Sequence, residues 1–127
     1  MVSSSAVHDL LCRLGITANY MGFLYTACAV ELCATQPERL RLVTKWVYSE
    51  VARRYQTNWK AVERHIRAAS GMAWERNRPL LEELAGRPLP QRPYAAQLLA
   101  ILANSLYAHS PAPETVPQNP SPGMKME

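Results

Sequence analysis

The sequence predicts an all-α domain of about six helices that contains a helix-turn-helix and ends in a disordered tail. Three observations carry this reading. Apolar residues recur at helical spacing along most of the chain, and no alternating run reads as a convincing strand. Between Tyr48 and Trp74 a short helix, a break at Gln56-Thr57-Asn58 and a longer helix follow one another, the plan of a helix-turn-helix. From Ser110 onward the stretch SPAPETVPQNPSPGMKME holds five prolines and little that could be buried. The expected division is a helical domain over 1–109 and a Pro/Ser-rich tail over 110–127. At 127 residues and 48% apolar content, one packed domain is the expectation.

The elements follow in order. Ser3 to Ser5 can cap a helix carrying Val7, Leu10, Leu11 and Leu14, which Gly15 stops. A second helix, from about Asn19 to Ala34, is apolar almost all round and should be buried on most sides. Pro37 opens a third, with Leu40, Val43 and Val47 inward and Arg39, Arg41 and Lys45 outward. Val51, Ala52 and Tyr55 form the inner face of the next, short helix. Thr57 or Asn58 can then cap a longer helix whose apolar stripe is Trp59, Val62, Ile66, Ala69 and Ala73. After Trp74 come prolines and a short helical piece at Leu80–Leu84. The last helix, about Tyr94 to Ala108, is apolar on more than one face, through Leu98, Leu99, Ile101, Leu102, Leu106 and Tyr107.

Charge is unevenly placed. The formal net is +4, yet the segment from Arg53 to Arg78 holds seven basic and two acidic residues, a local +5 that leaves −1 for the remainder. A polyanionic partner is the inference. The chain shows no nucleophile–base arrangement, no phosphate-cradling glycine loop and no clustered carboxylates, so an enzyme is not expected. Cys12, Cys28 and Cys33 form no CxxC and have no paired His. They read as small core hydrophobes in a reducing, cytoplasmic setting. His8 and His109 lack ligand partners at metal spacing, and neither a metal nor a cofactor is expected. No signal peptide is visible, and the uncharged run Ile16–Val30 is too short and too polar to span a bilayer, so no membrane is expected.

On the longer helix, Lys60, Arg64, Arg67 and Gly71 fall opposite the apolar stripe, with Glu63 on the edge. Arg64 can donate two hydrogen bonds to guanine O6 and N7, and Glu63 can accept from cytosine N4. Lys60 and Arg67 suit a phosphate or a second guanine. Lys60, Glu63, Arg64 and Arg67 are therefore the candidate base-reading residues. Lys45, Arg53 and Arg54 on the preceding helices, with Thr57 and Asn58 in the turn, are the candidate contacts to the DNA backbone. A purely structural reading makes Glu63 and Arg67 an i,i+4 pair on a solvated face. Trp59 shares the phase of the core stripe and is expected to pack inward. Trp74, off the stripe, should pack against the segment after the helix, and His65 reads as structural or phosphate-touching.

The run Thr44-Lys45, Tyr48, Val51-Ala52-Arg53-Arg54-Tyr55, Val62-Glu63-Arg64, Ile66-Arg67, Ala69 and Ala73-Trp74, with Gly22-Phe23 and Tyr25 upstream, carries a resemblance. It resembles the C-terminal DNA-binding effector domain of the stage-zero sporulation response regulator of endospore-forming Firmicutes, over roughly Leu10 to Leu106. The resemblance implies a six-helix, winged-helix-like fold of the response-regulator effector class and binding to a short box of the TGTCGAA type. It also implies that Glu63 and Arg64 occupy base-reading positions. Lys60 and Ala61 stand where the family usually has a small hydroxyl residue and an arginine, which points to a shifted target. The family's full-length protein carries a receiver domain ahead of this one. Here Met1 lies a few residues before the first helix, so a domain without a receiver is the expectation.

The expected function is a sequence-specific, double-stranded-DNA-binding transcription regulator. The alternative is an interaction module that keeps the fold but dimerises with or antagonises a full-length regulator. RNA polymerase is a further expected partner. A homodimer in tandem on neighbouring boxes is expected too, with contacts through the last helix, whose Leu98, Leu102 and Leu106 share a face.

Overall fold

The computed structural model describes residues 3–17 and 20–109, with side chains described up to 106. The expected tail at 110–127, like Asn19 and the side chain of Tyr107, lies outside the described residues. Five α-helical elements and two irregular turns run in order: α1 Ser4–Arg13, α2 Met21–Thr35, a 3-10 segment Pro37–Leu42, a π segment Thr44–Tyr48, α3 Ser49–Arg54, α4 Trp59–Ala85 and α5 Ala95–His109. A break at Asn77 divides α4 into two limbs, which makes six helices. No strand occurs among the described residues.

Local chemistry sets each boundary. Ser3 caps α1 by accepting from the Ala6 amide at 3.1 Å. Beyond it Gly15 takes a φ of +93°, where a Cβ would lie 2.7 Å from the Arg76 Cβ. The chain turns there against α4, and Arg76 holds the turn by donating to the Gly15 carbonyl at 2.7 Å. At the break, Asn77 donates to the Arg13 carbonyl (2.8 Å) and accepts from the Leu80 amide (3.3 Å), capping the second limb that Pro79 helps to open. Gly86, at φ +79°, ends it in the left-handed conformation.

The core is built around α2, which packs against α1, α4 and α5. Phe23, Ala27, Val30 and Cys33 of α2 meet Val62, Ile66, Ala69 and Ala73 of α4 in one cluster with Leu98, Leu99 and Leu102 of α5. The Ser70 hydroxyl donates to the Pro93 carbonyl at 2.7 Å and fixes the chain as it enters α5.

Three expectations need correction. The region after Pro37 is not one α-helix: a 3-10 segment passes into a π segment, although Val47 is buried and Leu40 and Val43 are half-buried on the expected side. Hydrophobic spacing gives the phase of a helix but not the size of its hydrogen-bonded ring. The apolar excess of α5 is not a free surface. Leu98, Leu99 and Leu102 have no exposure, because α5 packs against both α2 and α4, so Leu98 and Leu102 are closed to a second subunit. Of the three cysteines only Cys33 is fully buried; Cys28 is half-buried and Cys12 exposed. Burial pushes the Cys33 thiol up to about 12 and raises that of Cys28.

Candidate nucleic-acid interface

The turn between α3 and α4 is tight. Gln56 adopts φ +55°, the Thr57 amide donates back to the Ala52 carbonyl at 2.9 Å, and Asn58 caps α4 by accepting from the Ala61 amide at 2.9 Å. Asn58, not Thr57, therefore provides the cap. Val51 and Ala52 of α3 face the stripe Val62, Ile66, Ala69 and Ala73 of α4, all buried, so α3 and the first limb of α4 form one rigid corner. This packing turns Lys60, Arg64 and Arg67 outward, all exposed, with Glu63 half-buried beside them.

Side-chain partners separate the seven cations of the basic segment. Glu50 binds both Arg53 (2.6 Å) and Arg54 (2.8 Å), and these hydrogen bonds hold its carboxyl down at about 2. Arg67 pairs with Glu63 at 3.4 Å, which is the i,i+4 pair of the structural reading. Arg78 pairs with Glu82 at 3.2 Å, and Arg76 is committed to Gly15 and Thr17. Lys60 and Arg64 remain: among the described residues neither has an ion pair or a hydrogen bond. Lys60 Nζ instead stands 5.9 Å from the centroid of the Trp59 ring. Lys45 is exposed on the π segment.

The histidine of α4 is held within the fold. His65 Nδ1 lies 3.3 Å from the Tyr20 hydroxyl, and its ring meets Tyr20 and Tyr25 edge-on. Burial raises the Tyr20 hydroxyl, and the Arg64 charge partly offsets this. Trp74 reaches the segment after the helix through Arg78, whose guanidinium lies 4.1 Å from the Trp74 ring centroid and donates to the Leu89 carbonyl at 3.1 Å. Trp59 departs from expectation. It shares the stripe's phase but is the first residue of α4, beyond the point where neighbouring helices cover that stripe, and it is 41% exposed. Two further features were not anticipated: the Glu50 clamp, readable from its i,i+3 and i,i+4 spacing to Arg53 and Arg54, and Tyr94, an exposed neighbour of Trp59 that no local pattern marks.

A capped helix after a tight turn, apolar inward and cationic outward, defines a helix-turn-helix domain. Residues 7–106 match the family described as sporulation initiation factor Spo0A C terminal, and the chain belongs to that family. The family is a DNA-binding regulatory domain rather than an enzyme family. No helix among the described residues is long and apolar enough to cross a membrane.

Proposed function

We propose that this chain is a sequence-specific regulator of transcription that inserts the first limb of α4 into the major groove of double-stranded DNA. The observation that carries the reading is the pair of cations Lys60 and Arg64, which among the described residues have no ion pair or hydrogen bond, on the exposed face of a helix whose opposite face is locked into the core. Arg64 is the base reader, with two donors for guanine, and Glu63 accepts from the neighbouring cytosine when Arg67 swings to a phosphate. Lys60 supplies sequence-independent attraction to the phosphates. Lys45 and the α3 arginines, with Thr57 and Asn58 in the turn, are the anchors of register on the backbone in this reading.

One helix-turn-helix buries modest surface, so two copies on neighbouring boxes are the expected route to useful specificity. Their contact must use a surface other than Leu98 and Leu102. RNA polymerase is the natural second partner of a DNA-bound regulator, and the cytoplasm is where both are met. The interaction-module alternative rests on the expected absence of a receiver and on the apolar last helix, and of that helix Leu98 and Leu102 are consumed in the core. Selection of bound sites from random duplexes tests the proposal. Enrichment of a short box containing a C-G step is expected, and recovery of unbiased sequence would overturn it.

A further inference from the structure

Beside the N-terminal end of α4 lies an open groove that meets the proposed base-reading face only at Glu63. Its lining exposes apolar side chains: Trp59 at 41%, Leu42 at 50% and Tyr94 at 64%. Arg41 and Lys45, both exposed, border it from the irregular turns before α3. Glu63 is the acidic residue of the lining, and Arg67 holds its carboxylate at 3.4 Å. Lys60 adds a third cation beside the Trp59 ring.

Clustered exposed apolar side chains mark a contact surface. Here three cations, Arg41, Lys45 and Lys60, outnumber the single carboxylate, so the occupant is anionic. Aromatic rings set between cations suit a sugar-phosphate chain. A ring covers the apolar face of a sugar while the amine and guanidinium groups take the phosphates on either side. An acidic peptide could meet the same cations, but position favours DNA. Trp59 and Arg64 are separated by about 7.5 Å along the helix axis, at 1.5 Å per residue. That is less than the roughly 12 Å width of the major groove, so a duplex read by Arg64 must continue past Trp59.

We propose that this groove binds the DNA backbone flanking the read box, so that DNA outside the box adds affinity without adding sequence. The inference rests on α4 being the reader and extends the footprint beyond it.

The test uses the full chain and two duplexes: the selected box alone, and the same box extended on each side by about half a helical turn, roughly five base pairs. The wild type should bind the extended duplex more tightly. Trp59→Ala should weaken binding to the extended duplex by about tenfold, in the range of an aromatic contact to a nucleic-acid strand, and change binding to the bare box little. Arg41→Ala should make the log–log salt dependence shallower by roughly one unit on the extended duplex only. Because Trp59 and Arg41 are exposed, both variants should keep the wild-type melting temperature, and Trp59→Phe should restore most of the lost affinity. Equal behaviour of the two duplexes, with Arg64→Ala still lowering affinity, overturns the groove and leaves the reader standing. Unchanged affinity in Arg64→Ala overturns the reader and the groove with it. An acidic peptide whose binding is lost in Trp59→Ala and which does not compete with the extended duplex would also overturn the assignment.

Discussion

Arginines 53 and 54 on α3 and the cations of α4's first limb have the same formal charge and sit a few residues apart, yet they are differently available. On α3 a single carboxylate, Glu50, holds both guanidinium groups within 2.8 Å. On α4 Arg64 has no such partner among the described residues, and Lys60 has only an aromatic ring nearby. A local charge of +5 is therefore not five charges ready for a polyanion. Four of the seven cations are in ion pairs and one is tied to the α1–α2 turn. Exposed pairs of this kind are weak, so DNA phosphates can compete for them at small cost. The α3 arginines act as a reserve, whereas Lys60 and Arg64 are available without rearrangement.

The largest effect should come from removing the support that both helices share. Leu102→Ala leaves a cavity where α5 meets α2 and α4, and it should lower the unfolding free energy by about 2–5 kcal/mol. Urea denaturation measures this. A loss typical of a surface site would return α5 to the role of an available interface. Next in size, Arg64→Ala should reduce specific affinity by about 1–3 kcal/mol and relax base preference at one position of the box. Competition titrations with single-base variants of the box read both changes. Smaller again, Lys60→Ala should weaken binding to every sequence alike and make the salt dependence shallower by roughly one unit. If Lys60→Ala altered base preference instead, its role and that of Arg64 would have to be exchanged.

What the sequence made legible follows from which forces are local. The order of helices, the Ser3 cap, the Gly15 stop, the turn at Gln56–Asn58 and the inward stripe of α4 all depend on spacing within a turn or two. Each of them is present, save that the region after Pro37 is a 3-10 and a π segment and that Trp59, counted in the stripe, is exposed. The outward placement of Lys60, Arg64 and Arg67 follows from that stripe by geometry alone. What escaped depends on distant neighbours. Periodicity cannot tell a helix buried on several sides from one with a spare face, so α5 looked available. Trp59 has the phase of the core, but the chain facing it is the irregular segment 37–48 and Tyr94, which leave a groove open. The Glu50 clamp was local and readable, but a charge count starting at Arg53 leaves Glu50 outside it.

The smallest effect tests the reserve on α3. Glu50→Gln removes the shared carboxylate and frees Arg53 and Arg54 without changing the length of the side chain. If the α3 helix faces the DNA backbone, binding should become more salt-dependent, steeper by up to about two units as two further cations meet phosphates unopposed. Stability at neutral pH should fall slightly, by the same small amount that the wild type loses in acid, since the pairs are exposed. Its pH dependence has a definite sign. The Glu50 carboxyl is held at about 2 in the folded chain against an ordinary value of 4.5, so its stabilisation is complete above 4.5 and is lost as the pH falls towards 2. The wild type should therefore lose more stability than Glu50→Gln between about pH 5 and about pH 3, as read by denaturation midpoints. An acid response that is the same in both proteins would show that the clamp does not persist in solution. An unchanged salt dependence, with the acid difference intact, would instead place the α3 arginines away from the DNA and leave Lys60 and Arg64 as the working charge.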